Sequence, residues 1–134
     1  MRIAFIGGGN MATALISSLF ASRHDVDRIK VADPNESVKQ RLQKRWPVTC
    51  YPSATEAIEG MDAIVLAVKP QILPVVLDEI GDLVSDRQLV ISIVAGIHTN
   101  QIADHFSSNP PIIRTMPNTC LLYTSPSPRD RHLD

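Results

Sequence analysis

The sequence predicts an α/β fold: a doubly wound parallel sheet with helices on both faces. Three observations carry this expectation. Short apolar runs alternate with longer amphipathic segments from residue 1 to about residue 119, the pattern of a parallel sheet covered by helices. One run, Ala63-Ile64-Val65-Leu66-Ala67-Val68, is continuously apolar, as expected of a strand buried on both faces. A run of three glycines stands between the first strand and the first helix.

Taken in order, Arg2 to Ile6 is a compact apolar run ending in glycine and reads as a buried strand. In residues 10–22, Met11, Leu15, Ile16, Leu19 and Phe20 recur at three-to-four spacing, which places them on one helical face. Residues 29–32 form the second strand. Asp33-Pro34-Asn35-Glu36 then suits a helix start, with Asp at the N-cap and Pro at the first helical position, in a helix running to about Arg45. Residues 48–51 form a short third strand. Ser53-Ala54-Thr55-Glu56 repeats the capping pattern and opens a short helix that Gly60 can end. The strand at 63–68 follows, then a helix within 72–83 with Leu73, Val76, Leu77 and Ile80 on one side. A strand at 89–94, a short helix at 99–106 and a strand at 112–115 complete the alternation. Right-handed crossovers make the doubly wound arrangement the simplest topology.

Composition narrows the function. The 134 residues carry 13 Lys and Arg against 14 Asp and Glu, a formal net charge of −1. This balance lacks the basic excess of nucleic-acid binders. No apolar stretch approaches the ~18 residues of a membrane span, and Gly7, Gly8 and Gly9 interrupt the N-terminal apolar run too early for a signal-peptide core. Two cysteines, Cys50 and Cys120, are too few for a disulfide scaffold or a four-ligand zinc site. The expected compartment is the cytoplasm. Five of the ten prolines fall between Pro110 and Pro128, and the segment around Thr124 to Arg131 has no apolar periodicity. Its composition is that of a disordered tail.

The sharpest motif is Gly7-Gly8-Gly9-Asn10-Met11-Ala12, a G-x-G-x-x-A directly after the first strand. Gly7 permits the tight strand-to-helix turn, Gly9 lets a pyrophosphate approach the backbone, and Ala12 keeps helix and strand close. Free N–H groups and the positive dipole end of the helix then face the phosphates. Asp33 ends the second strand, 21 residues after Ala12. A carboxylate there holds adenosine ribose hydroxyls, favouring NAD over NADP; the same carboxylate is equally placed to cap the following helix. Asn35 and Lys39 lie close enough to meet a 2′-phosphate, so NAD and NADP both stay open. Ala67-Val68-Lys69-Pro70 ends the fourth strand, on the side where open parallel sheets bind ligands. Lys69 is either a solvated strand end or a residue facing the nicotinamide half. Val94-Ala95-Gly96 ends the fifth strand, where small residues permit a flat ring to approach, or simply a tight turn.

The remaining polar residues read as structural. His24, His98, His105 and His132 have no ligand-like spacing, so no metal is expected. Cys50 lies in an apolar run as a small buried residue, and Trp46, before Pro47, as a packing residue. No Ser/His/Asp set has motif support.

Four blocks together resemble the N-terminal dinucleotide-binding domain of the pyrroline-5-carboxylate reductase family. They are the residues from Ile6 to Ala12, Ala67-Val68-Lys69-Pro70-Gln71, Ser92-Ile93-Val94-Ala95-Gly96, and Arg114-Thr115-Met116-Pro117-Asn118-Thr119, in the family's order and separation. The resemblance implies a Rossmann-type NAD(P)-binding domain over residues 1–119. It implies reduction of 1-pyrroline-5-carboxylate to L-proline, the last step of proline biosynthesis, with NADPH or NADH as hydride donor. A protonated cyclic imine is already an electrophile, so catalysis rests on holding donor against acceptor. By motif match, Ile6, Gly7, Gly8, Gly9, Asn10 and Met11 would contact the pyrophosphate. Ala67, Val68, Lys69 and Pro70 would meet the nicotinamide ribose region, Ala95 and Gly96 would border the nicotinamide ring, and Asn118 would lie near the substrate. Some family members carry Ser or another small polar residue at the position of Asp33 and favour NADP.

The sequence departs from the family after Thr119. Family members continue with proline and then a helical domain that mediates homo-oligomerisation and builds the imine site. Here Cys120-Leu121-Leu122-Tyr123-Thr124-Ser125-Pro126 follows, so residues 120–134 read as a non-family tail, disordered or artefactual, in a truncated or chimeric chain. The expectation is a cofactor-binding part that is inactive alone. Two further readings are a non-catalytic dinucleotide-binding sensor or regulatory module, and another reductase acting on a different small carbonyl or imine.

Overall fold

The computed structural model describes residues 1–22 and 27–115. Asn118, the boundary at 119, the segment 120–134, and residues His24, Cys120 and His132 lie outside the described residues. Within them, eleven elements alternate: β1 (Arg2–Ile6), α1 (Asn10–Ser22), β2 (Arg28–Ala32), α2 (Glu36–Arg45), β3 (Thr49–Tyr51), α3 (Ala54–Ile58), β4 (Ala63–Leu66), α4 (Leu73–Ile80), β5 (Leu89–Ser92), α5 (Thr99–Ala103) and β6 (Ile112–Arg114).

All six strands are parallel, in the order β3-β2-β1-β4-β5-β6. This is the doubly wound arrangement that the alternating runs predict. The order reverses between β1 and β4, which makes their junction the switch point of the sheet. Ile6 of β1 is level with Ala32 of β2 and Leu66 of β4. The three loops that leave these strands therefore emerge side by side.

Side-chain alternation divides the core between the two faces. Ile3, Phe5, Ile29, Val31, Ala63 and Val65 face α1 and α2, packing on Ala12, Ile16 and Leu42. Ala4, Ile6, Ala32, Ile64, Leu66 and Val90 face α3, α4 and α5, including Leu73, Leu77, Ile80 and Ile102. The predicted face of α4 is the buried one. On α1 the buried residues are Ala12 and Ile16, while Met11, expected on the apolar face, is 37% exposed at the helix start. Trp46 packs as expected, stacking on Phe20 with ring centroids 6.4 Å apart. The Arg45 guanidinium also lies over the Trp46 ring, 4.3 Å from its centroid.

Several boundaries differ from the sequence expectation, each for a local reason. The N-cap of α2 is Asn35, not Asp33: the Asn35 side chain accepts from the Ser37 and Val38 amides, so Pro34 lies outside the helix. Ser53 stands at the N-cap of α3, but its hydroxyl pairs with Thr55 Oγ1 at 2.9 Å and caps nothing. Gly60, at φ +74°, ends that helix as expected. Strands β4 and β5 stop two residues early. After β4 the Lys69 carbonyl accepts from Ile72 and Leu73, so the chain is already turning into α4. After β5 the Val94 amide donates to the buried Ser92 hydroxyl at 3.2 Å. The end of α5 tightens into i to i+3 bonds from His105 to Ile102 and Phe106 to Ala103.

Ile64 is fully buried at the centre of β4. Ile64→Ala is expected to cost about 2–5 kcal/mol by leaving a cavity that the sheet cannot close. Thermal or urea unfolding followed by circular dichroism measures this, and a loss under about 1 kcal/mol would contradict the packing described.

Candidate functional site

Gly7, Gly8 and Gly9 form the turn from β1 into α1, and each is small for a different reason. Gly7 has φ +101°, a conformation that L side chains rarely adopt. A Cβ there would also meet the Ala67 carbonyl oxygen at 2.5 Å. The loops after β1 and β4 thus touch backbone to backbone at the switch point. Gly7 N–H donates to the Ala32 carbonyl at 2.8 Å and Ala67 N–H to the Ile6 carbonyl at 2.8 Å. Gly8, which occupies a variable position of the motif, is constrained as well. A Cβ on it would sit 2.8 Å from Val38 and 3.1 Å from Leu42, so α2 rides directly on the turn. Gly9 is the opposite case, since a Cβ there would meet nothing within 4 Å. Its face is open, beside the first amides of α1, which have no partner inside the helix. Thr13 closes the turn from the other side, donating its hydroxyl to the Gly9 carbonyl at 2.8 Å.

Asp33, level with this turn, does not cap α2. Its Oδ2 accepts from Gly8 N–H at 2.9 Å and its Oδ1 from Asn35 N–H at 2.8 Å. The carboxylate therefore ties the β2 loop to the glycine turn, and each oxygen retains a further lone pair. Beside it lies a hollow of about 340 Å³ along the C-terminal ends of β1, β2 and β4. Gly7, Asp33, Ala54 and Val68 line it, with Ile72 and Val75 forming an apolar wall. Ile72 is 47% and Val75 62% exposed, although both are aliphatic.

The other predicted residues border the same end of the sheet. Ala67 and Val68 are half-buried, while Lys69 and Pro70 are exposed. Ala95 and Gly96 are exposed beyond β5, Gly96 at φ +77° with open space around it, so a tight turn and an accessible face coexist there. Ser92, which enters the sequence analysis only as the first residue of a family-like block, is fully buried beneath this loop. Arg41 was not singled out by the sequence reading. From the second turn of α2 its guanidinium reaches the Gly8 carbonyl at 3.5 Å. Lys39 is drawn to Glu36 at 2.9 Å instead of facing the turn.

Two other hollows compete in size. The larger, about 600 Å³, lies around Arg2, Gly60 and Gln88 at the N-terminal ends of the strands. There Arg2 pairs with Asp62 and the Gln88 amide bonds the Ile58 and Met61 carbonyls, so these three side chains serve the fold. The second, about 320 Å³, is an apolar groove over β4 and β5 beside α1, with almost no polar group to orient a ligand. The C-terminal end is different: a helix N-terminus, an open glycine and a carboxylate converge there.

Cys50 is half-buried with its thiol 3.8 Å from the Lys39 carbonyl. Burial pushes the thiol above its usual pKa, with the Asp33 and Glu36 carboxylates reinforcing this against Lys39. It stays protonated at neutral pH, which suits packing and not nucleophilic attack. Among the described residues no three His, Cys, Asp or Glu side chains gather as a metal site, and no helix is long and apolar enough to cross a membrane.

Residues 2–96 match the family model described as NADP oxidoreductase, coenzyme F420-dependent. The chain is similar to pyrroline-5-carboxylate reductases of Pseudomonas aeruginosa (35% identity over 118 residues, 88% of this chain and 43% of the relative) and Pasteurella multocida (37% over 120 residues, 87% and 44%). It thus spans under half the length of these curated relatives. Among solved structures, a pyrroline-5-carboxylate reductase from Coxiella burnetii superposes with a TM-score of 0.81 at 34% identity, covering 87% of this chain and 44% of that one. The Plasmodium falciparum pyrroline carboxylate reductase with NADP bound superposes at 0.73 with 25% identity, covering 97% and 51%.

Gly7→Ala is expected to lower stability by at least about 1–2 kcal/mol, from the left-handed φ alone. Gly9→Ala, whose Cβ enters open space, should stay within about 0.5 kcal/mol of the parent. Urea midpoints of the two variants measure the difference, and equal losses would show that Gly7 is not pinned against Ala67.

Proposed function

The chain belongs to the NADP oxidoreductase, coenzyme F420-dependent family, and from that membership we propose that residues 1–119 bind NADPH or NADH for the reduction of 1-pyrroline-5-carboxylate to L-proline. The observation that carries this reading is the open face of Gly9 at the start of α1, between an acidic β2 end and the β4 loop. A dinucleotide diphosphate needs a backbone without Cβ atoms, amides pointing outward and a favourable helix dipole. All three requirements meet at Gly9, Asn10 and Met11, while Ile6, Gly7 and Gly8 hold the turn in place. The hollow beside Asp33 suits an adenosine: a carboxylate with lone pairs for ribose hydroxyls, and the exposed Ile72 and Val75 for a flat base.

In this reading Ala67, Val68, Lys69 and Pro70 lie along the nicotinamide ribose. Ala95 and Gly96 leave room for the ring, and Asn118 approaches the substrate. A bound reduced nicotinamide supplies the hydride that an imine carbon accepts. The protein's share is orientation. The Gly7–Ala67 contact fixes the spacing of the two loops, and the Ser92 hydroxyl, accepting from Val94 N–H, fixes the start of the loop bordering the ring. Small displacements of a bound donor cost rate steeply, so rigidity here is catalytic in effect. Support for the substrate comes from the likeness to pyrroline-5-carboxylate reductases.

The 134-residue chain is expected to quench or shift NAD(P)H fluorescence on titration while forming no proline from 1-pyrroline-5-carboxylate. Proline formation by this chain would overturn the second expectation, and absence of binding to both cofactors would overturn the nucleotide site. Gly9→Ala should weaken both reduced cofactors by about tenfold, the order expected from disturbing one charge-assisted contact, at unchanged melting temperature. Asp33→Ala should weaken NADH more than NADPH if the carboxylate holds the ribose; an equal effect would assign it only to the glycine turn.

A further inference from the structure

We propose that Arg41 is the residue through which this site recognises the 2′-phosphate of NADPH, an inference that rests on the nucleotide-binding reading above. Val38 and Leu42 press α2 onto Gly8, and Arg41, adjacent to Leu42, extends to the same residue. Gly8 is thus flanked by opposite charges. Its amide donates to the Asp33 carboxylate at 2.9 Å, and its carbonyl lies 3.5 Å from the Arg41 guanidinium.

The Arg41 contact stands at the outer limit of hydrogen bonding, so it occupies little of a guanidinium with five donors. Among the described residues no carboxylate lies within ion-pair distance of it. A guanidinium that is exposed, oriented toward the turn and unneutralised matches a phosphate in charge and in fork geometry.

The other cation near the turn is engaged. Lys39 is paired with Glu36 at 2.9 Å and its side chain is only 12% exposed. The Asn35 oxygen caps α2. Asp33 alone would repel a phosphate attached to the ribose it faces, because like charges at close range oppose each other. Arg41 supplies the opposing charge, which lets an acidic β2 end coexist with a phosphorylated ribose. The site is then built to accept NADPH without losing NADH, and Arg41 sets the balance.

The test is calorimetric titration of the whole chain, and of its Arg41→Ala and Arg41→Lys variants, with NADPH, NADH, 2′,5′-ADP and 5′-ADP. Arg41→Ala should weaken NADPH and 2′,5′-ADP by about tenfold or more, the loss expected for one charge-assisted contact. NADH and 5′-ADP should change by less than about twofold. Arg41→Lys should recover part of the loss, since it keeps charge without the fork. The parent's preference for 2′,5′-ADP should also fall as salt rises. Equal weakening of all four probes would overturn the proposal, assigning the guanidinium to the diphosphate or the turn. Unchanged NADPH affinity in Arg41→Ala would overturn it too. A parent chain that binds none of the four would bring down the nucleotide-binding reading itself, whereas one that binds NADH but not NADPH would overturn the Arg41 assignment alone.

Discussion

The candidate site depends on one backbone approach: the Gly7 α-carbon lies against the Ala67 carbonyl where the winding of the sheet reverses. No side chain fits between them. The contact brings the β1 turn and the β4 loop to a fixed separation, and the parallel register sets the Asp33 loop level with both. Every other feature of the site follows from that spacing. α1 begins where its free amides face outward, α2 can settle on Gly8, and the hollow beside Asp33 acquires its walls.

Asp33 shows how such a scaffold economises on polar groups. One carboxylate satisfies two backbone amides, Gly8 and Asn35, and so joins the loop after β2 to the glycine turn. The capping duty that its position suggests passes to Asn35, two residues on. A ligand engaging Asp33 therefore acts on a group already held from both sides, which limits the rotamer entropy lost on binding.

Much of this was legible in the sequence. Apolar runs marked the central strands β1 and β4 because each is covered on both faces, and the small residues at 7, 9 and 12 marked the first turn. Ends of elements were less legible. Ala67-Val68 and Ile93-Val94 are apolar like the strands they follow, yet they lie in loops, because the turn begins through backbone bonds to Lys69 and through the Ser92 hydroxyl. Asn35 takes the cap expected of Asp33 because its side chain is the one that reaches the Ser37 and Val38 amides. Gly8 occupies a position the motif leaves free, so its constraint became visible only with Val38 and Leu42 packed on it. Arg41 carried a weak signal, a cation on the helix after an acidic strand end, but the same signal is carried by Lys39. Only three-dimensional placement separates the two.

The position of β1 also bears on how this chain comes together during synthesis. Within this sheet the strand earliest in sequence is central, with β2 on one side and β4 on the other. Its partner on the first side emerges after a single helix, so a β1–α1–β2 unit can assemble early. The opposite edge must wait until residue 66 has been translated, and through that interval an apolar strand presents unpaired amides and carbonyls to solvent. Such edges invite pairing with other chains. Early docking of α1 and α2 on one face covers Phe5 and Val31 while leaving that edge exposed, which makes the arrival of β4 the event that seals the nascent protein against misassembly.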